Sequence, residues 1–356
     1  MNPGWCSNLI ECFIGENADL FILGRTLAGL YEQPRTKVRL RHVDWIKAPF
    51  SMALNVDGLK IGIEVWDHAD RWDAGLLEWC DVYAKRNMNA RHPGAFPHKV
   101  IPFGLNWACH SRRSMLAAFT AIAGALPRAS KARLHEVYRY LVTPHWRFFE
   151  HGPEQPVENA ILFQTRVWEP EEAPGDEAIN EQRIGLLLAL RREFGHRVLG
   201  GVVPGPLALK NYPELITDQP CRQPQFIRWA KKPLIGIYFR GLFGSIGFKM
   251  AEYLAASKCI VSEPIENELP SPLDALVVYK SNEECLTACE RLLSDRSLAH
   301  SRREQSWKYY EAYVSPRAHM GDLLARARER FSNGHKREGS ESLRSGNSAH
   351  QVEDSK

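Results

Sequence analysis

The sequence predicts an α/β protein of two domains with a disordered C-terminal tail, and three observations carry that prediction. Between Leu234 and Glu263 two β-rich apolar runs, Leu234 to Phe239 and Cys259 to Val261, bracket a helical segment of roughly ten residues, the pattern of a βαβ crossover in a parallel sheet. Strand-like and helix-like stretches alternate in both halves of the chain, on either side of a proline- and aromatic-rich segment, TPHWRFFEHGPEQPVE, at 143–158. From Ser332 onward the chain is Ser, Gly, Lys, Arg and Glu with almost no large apolar side chain, too little burial to offset the entropy of ordering.

The elements follow in order. Residues 1–35 are ambiguous beyond a helix over Leu20 to Tyr31. From Lys37 the chain reads KVRLRHVDW, then LKIGIEVW after the turn-forming pair Asp57-Gly58, then the helix-prone AGLLEWCDVYAKR, then KVIPFGLNW. A helical region over Ser114 to Tyr140, interrupted at Pro127, closes a first domain at residues 1–145. A second domain, 159–331, opens with AILFQTRVW and continues through the helix EQRIGLLLALRREFG, started near Glu181 and stopped by Gly195. The strand HRVLGGVVP leads to the Leu234–Glu263 unit. Ser281 or Asn282 then caps a helix whose Leu286, Leu292 and Leu293 face a core, and a last helix over Leu298 to Val314 stops before Pro316.

Ligands of parallel sheets bind beyond the carboxyl ends of the strands. At that end of the crossover stand Arg240, Gly241, Gly244, Ser245 and Gly247, where backbone can approach a phosphate or a sugar closely. Lys249 and Glu252, three apart, share a face near the helix start, so a cation can meet a diphosphate while a carboxylate accepts sugar hydroxyls. An ordinary βα turn with a solvated Lys/Glu pair is the alternative.

The stretch GSIGFKMAEYLAASKCIVSEP resembles the nucleotide-sugar motif in the C-terminal domain of GT-B glycosyltransferases, in particular bacterial glycosyl transferase family 1 and spore-coat-type members. VVYKSNEECLTACERLLSD and RREQSWKYYEAYVSPRAHM extend the resemblance over about residues 159–325. The resemblance implies two Rossmann-like domains facing across a cleft, with Glu252 on the donor ribose and the terminal helices crossing back onto the first domain. Many retaining members carry a second glutamate eight residues earlier. This chain has Gly244 there.

Other candidates come from the residues themselves. Arg166 follows the strand AILFQ, at an edge where a guanidinium can hold a diphosphate and take up leaving-group charge; pairing with Glu169, Glu171 or Glu172 is the competing reading. In WDHADRWDA the chain sets Asp67, His68, Asp70 and Asp73 within seven positions beyond a strand end, with Trp66 and Trp72 available to stack on a sugar. A carboxylate or imidazole there suits general-base catalysis and points to Asp67 or His68, while a capping turn led by Asp70 or Asp73 explains the same residues. His110 and His145 stand alone, as structural histidines do.

Composition bounds the rest. The 356 residues, 44% hydrophobic and 25% charged, suffice for two soluble cores. A net charge of +4 suits an anionic donor or peripheral contact at an anionic membrane surface and is too weak for nucleic acid. The eight cysteines, without a CxxC, indicate neither a zinc site nor a disulfide framework and point to a reducing cytoplasm. No secretory signal is recognisable, and the most apolar helix, Met115 to Leu126, falls short of the roughly 20 residues that a membrane span needs. No nucleophile elbow, Walker loop or GxGxxG fingerprint is present, which excludes the usual hydrolase, kinase and dehydrogenase sites.

The expected protein is therefore a cytoplasmic glycosyltransferase, peripheral to the inner membrane face, needing neither cofactor nor metal. It would move a sugar from a nucleotide-sugar donor to a glycan, lipid-linked or small-molecule acceptor in surface polysaccharide or glycoconjugate synthesis. A fucosyltransferase-like GT-B enzyme and a catalytically degenerate binding subunit are the rivals.

Overall fold

A computed structural model describes residues 9–89, 98–123, 135, 138–174 and 178–348. Pro127, where the sequence breaks its long helix, lies outside the described residues. The first sheet has six strands, β1 (Leu9–Gly15), β2 (Lys37–Val43), β3 (Ser51–Val56), β4 (Leu59–Glu64), β5 (Val82–Lys85) and β6 (Val100–Pro102), in the order β2-β1-β3-β4-β5-β6. It is parallel except around β3, which runs antiparallel to both β1 and β4. Asp57 and Gly58 join β3 to β4 with φ of 54° and 88°, the doubly left-handed turn that matches strand twist in a two-residue hairpin.

Three strands escape the sequence reading: β5 lies within AGLLEWCDVYAKR, expected to be helical, where the helix ends at Trp79 and Val82–Lys85 forms a buried strand, and β1 and β3 are hidden by their patterns. In β1 the buried side chains Ile10, Cys12 and Ile14 alternate with Glu11, whose carboxylate meets Arg41 at 3.0 Å on β2, so its charge hides the strand pattern. In β3 nearly every residue is buried, and a short run of that kind has no period to read. The helices around this sheet are α1 (Leu20–Tyr31), capped by the Asp19 side chain, α2 (Ala74–Trp79), capped by Asp73, and α3 (Arg112–Ala123).

The second sheet is wholly parallel: β7 (Glu158–Leu162), β8 (Val198–Leu199), β9 (Pro233–Tyr238), β10 (Cys259–Ser262) and β11 (Leu276–Val278), in the order β11-β10-β9-β7-β8. Its helices are α4 (Ile179–Phe194), α5 (Pro206–Asn211), α6 (Gln225–Ala230), α7 (Phe248–Ala255), α8 (Asn282–Ser294) and α9 (Arg296–Tyr309). All six residues of β9 are buried, and Gly236 at its centre lies so close to the Tyr253 ring that a Cβ would sit 2.8 Å from it. Gly195 ends α4 at φ 54°, and the Ser281 side chain caps α8. Cys285 and Cys289 are fully buried core residues, and every cysteine described is a free thiol.

The helix α9 continues through a π turn, Tyr310–Val314, to Ser315. Pro316 then opens a further helix, α10 (Pro316–Ser348), in the helix position where a missing N–H costs nothing. The sequence predicts only a stop before this proline, and the structure adds the helix that it starts. Met320, Leu323, Leu324 and Ala327 of α10 join Leu23, Leu27 and Leu30 of α1 in the core of the first sheet. Side chains beyond residue 333 are outside the described set, and the expectation of a disordered tail rests on composition. Among the described residues no helix is long and apolar enough to cross a membrane.

The two halves are pinned together by buried polar contacts. Arg25 is fully buried and donates to the carbonyls of Leu105 and Val314, the latter at 2.8 Å, while its guanidinium lies 4.9 Å from the Trp107 ring. Burial pushes it down to about 9. His319 bonds the Phe103 carbonyl at 2.6 Å, and the Glu268 amide donates to Met88 O at 2.7 Å.

Candidate functional site

The order of the second sheet reverses at β7, because β8 lies on one side of it and β9 on the other. Crevices form at the carboxyl ends of strands where such a reversal occurs. A cavity of about 330 Å³ lies there, lined by Gln164, Thr165 and Arg166 after β7, Phe239 and Arg240 after β9, and Lys249 and Glu252 of α7. Phe163, Trp168, Phe226 and Phe248 supply apolar wall. Adjoining it, a cavity of about 570 Å³ runs between the two halves, bounded by Asp70 and Asn89 on one side and by Arg240, Gly244, Ser245 and Asn267 on the other.

Lys249 and Glu252 are half-buried and charge-coupled. Lys249 Nζ donates to the Gln164 carbonyl, and Glu252 Oε1 accepts from Gln223 Nε2 at 3.3 Å. Burial pushes the ammonium down to about 8 against the pull of Glu252, and pushes the carboxyl up to about 7 against Lys249 and Gln223. Both groups are therefore poised near neutrality beside an open cavity, a condition found often at ligand sites.

The turn between β9 and α7 is built for close approach. Gly241 N and Ser245 O bond at 2.9 Å, Phe243 and Gly244 take left-handed φ of 57° and 67°, and Gly247 starts α7 without a side-chain cap. The Gly247 amide donates to the buried Tyr238 hydroxyl at 2.9 Å. A left-handed phenylalanine is unusual backbone, and it swings the Phe243 ring toward the first domain.

There Phe243 stacks on His68, with ring centroids 4.2 Å apart and planes 30° from parallel. Trp66 meets the same imidazole edge-on at 5.4 Å. Burial and then Arg71 lower the His68 pKa, which keeps the imidazole neutral at neutral pH. Its Nδ1 lies 3.8 Å from Asp70 Oδ1. Arg86, after β5, spans the gap: one guanidinium nitrogen pairs with Asp67 and the other donates to the Ile246 carbonyl.

The sequence candidates divide accordingly. Gly244, Ser245, Gly247, Lys249, Glu252 and Arg240 border the two cavities, with His68 against the same turn. Arg166 lines the first cavity, but its guanidinium bonds Glu172 at 2.6 Å and lies over Trp168 at 4.3 Å, the competing pairing. Arg240 is braced by Glu263 at 2.8 Å and Gln182 at 2.7 Å. Asp67 is exposed and tied to Arg86. Asp73 caps α2, and Trp72 packs on Tyr83 at 5.6 Å under Lys85 instead of facing the cleft.

Sequence reasoning missed Arg183, Arg86 and Gln223. Arg183 is buried in α4, where it donates to the carbonyls of Arg166 at 2.7 Å and Arg240 at 2.6 Å and so binds together the two loops flanking the cavity. Its signal was available: an arginine at position 183 of a helix whose apolar stripe begins at Ile184 sits at the edge of the buried face. Arg86 and Gln223 lie outside any motif.

No protein-family model matches the sequence, and no curated protein matches it. Several solved structures are similar to the chain at low identity. The chain is similar to the C-terminal domain of LpcC, a glycosyl transferase group 1 family protein from Francisella tularensis, with 14% identity over 47% of this chain and 95% of that one and a TM-score of 0.35. It is similar to S. aureus MnaA in complex with UDP, with 10% identity over 88% and 97% of the two chains and a TM-score of 0.40. An α1,3-fucosyltransferase with GDP-fucose shares 11% identity over 85% and 84%, with a TM-score of 0.39. Likeness of this depth assigns no donor and no reaction to the chain, whose site is read from its own residues.

Proposed function

We propose that this chain is a GT-B-type glycosyltransferase. Residues 159–331 hold a nucleotide-sugar donor, and residues 1–145 present a glycan, lipid-linked or small-molecule acceptor across the cleft. The observation that carries the reading is the cavity at the β7/β9 reversal, with the half-buried Lys249 and Glu252 on its wall and a glycine turn that meets His68 from the other half. Glu252 accepts the ribose hydroxyls. Lys249 and the amides at the start of α7 take the diphosphate, and Arg240 closes the sugar-phosphate side.

Of the two base candidates the geometry favours His68. Its imidazole is neutral and beside the cleft, whereas the Asp67 carboxylate is engaged by Arg86. The acceptor hydroxyl gives its proton to the imidazole as its oxygen bonds the anomeric carbon, and the nucleoside diphosphate departs toward Lys249. This chemistry fits a cytoplasmic enzyme of surface polysaccharide or glycoconjugate synthesis.

Calorimetric titration with nucleoside diphosphates tests the site. Glu252→Ala should weaken binding by roughly ten- to a hundredfold, the loss of hydrogen bonds to a charged group; unchanged affinity would sink the assignment. A second reading, a binding subunit without turnover, is favoured by Gly244 standing where many relatives have a glutamate. Slow donor hydrolysis without acceptor would exclude it.

A further inference from the structure

Among the described residues one group of His, Cys, Asp and Glu side chains converges as a metal ion requires, and it lies away from the cleft. His300 and Glu304 stand one turn apart on α9, and Glu154 reaches them from the turn that precedes β7. His300 Nε2 lies 3.5 Å from Glu304 Oε1 and 3.9 Å from Glu154 Oε1, and the three ligand atoms all fall within 4.8 Å of one another. Ligands that share a zinc ion at roughly 2.0–2.2 Å stand about 3.3–3.5 Å apart at tetrahedral angles. The helical pair already has that spacing, and Glu154, whose side chain is 82% exposed, has room to close the remainder.

Both supports are fixed without help from the three side chains. Arg303, buried on the same helix, donates to the carbonyls of Gly152 and Gln155 at 3.0 and 2.9 Å, on either side of Glu154. The His151 amide donates to Ala255 O at 3.0 Å, and the Ser257 hydroxyl donates to His151 O at 2.6 Å. Ligands carried on anchored backbone lose little freedom when an ion draws them in. A separate observation gives the ion an open side: His300, Arg296 and Arg303 help to line a cavity of about 310 Å³ at the amino edge of the second sheet, beside Glu158 and Leu234.

Exposed carboxylates gather on many surfaces, and the imidazole sets this group apart. A neutral imidazole can donate to one carboxylate and cannot neutralise two, whereas a divalent cation neutralises both and takes the ring nitrogen as a third ligand. One imidazole with two carboxylates suits zinc and its transition-metal neighbours, while magnesium and calcium favour oxygen alone. We propose that Glu154, His300 and Glu304 bind a divalent ion of the zinc class, which clips the end of the joining segment 143–158 to α9. The site stands at the amino edge of the sheet and the donor crevice at the carboxyl edge, so the ion holds chain segments together and takes no part in the proposed transfer. The inference is independent of the glycosyltransferase reading.

Calorimetric titration of the full chain with zinc chloride near neutral pH tests the proposal. One ion should bind per chain, calcium and magnesium should bind on the order of tenfold more weakly or less, and zinc should raise the thermal midpoint. His300→Ala and Glu154→Gln should each weaken zinc on the order of tenfold or more and remove the thermal shift. All three side chains reach solvent, so both variants should keep the midpoint of the zinc-free protein. Cys221→Ser removes the exposed thiol among the described cysteines and should leave zinc binding unchanged. Absence of zinc binding, or binding that survives His300→Ala and Glu154→Gln but is lost in Cys221→Ser, overturns the proposal. Equal affinity for calcium overturns it as well, by reducing the group to an acidic patch.

Discussion

Each sheet places a lysine and a glutamate at its carboxyl edge, and the two pairs have opposite fates. In the first domain Lys85 Nζ lies 2.6 Å from Glu64 Oε1 and 2.6 Å from the Arg71 carbonyl, the other Glu64 oxygen takes the Tyr83 hydroxyl and the Asp73 amide, and neither side chain sees solvent. In the second domain Lys249 and Glu252 each have one protein hydrogen bond described and border an open cavity. The first pair is saturated by its own fold and holds the Asp67–Asp73 turn in place. The second keeps bonding capacity for a ligand. Residue type therefore decides little here; saturation and access decide.

Breaking the saturated pair should have the larger effect. Glu64→Ala leaves the Lys85 charge buried without its carboxylate and should cost about 3–5 kcal/mol of stability by urea denaturation. A loss below 1 kcal/mol would mean that solvent reaches this pair as it reaches the other.

The open pair should respond to ligand and to pH. A lysine pushed from an ordinary 10.5 down to about 8 destabilises the fold below that pH, and the penalty is relieved as pH rises from about 8 toward 10.5. A bound diphosphate reverses the shift, so binding near pH 8 should take up a fraction of a proton. Calorimetry in buffers of different ionisation heat measures it, and Lys249→Met should abolish it. Binding without proton uptake would place the diphosphate away from this ammonium.

The smallest effect concerns the contact between the halves. A double-mutant cycle of His68→Ala and Phe243→Ala should give about 0.5–1.5 kcal/mol of coupling for an aromatic stack. A null coupling energy would reduce the two turns to neighbours in space.

Much of this arrangement was legible in the chain. The period of α1, the cap at Ser281, the stop at Gly195 and the strand–turn–helix around Gly244 are local events, and local chemistry specifies them. The acidic turn and the glycine turn each advertised themselves, and their meeting through His68 and Phe243 is a tertiary fact with no sequence period. Saturation was also hidden: Glu64 reads as the last polar residue of a strand, yet three groups from two stretches of chain, the Asp73 amide and the Tyr83 and Lys85 side chains, close on it. Trp72 failed as a sugar platform for the same reason, since it lies under Lys85.

The return of α10 to the first core sets the order in which the chain can become native. Leu23 and Leu27 of α1 wait for Met320 and Leu324, and the Arg25 guanidinium waits for the Val314 carbonyl, 289 residues away. During synthesis the first half leaves the ribosome with the apolar face of α1 uncovered and the Arg25 guanidinium bonded to Leu105 without its second carbonyl, and both conditions persist until residues 314–327 have been made. The second domain, with its own parallel sheet, can fold during that interval, so the half made first is the half finished last.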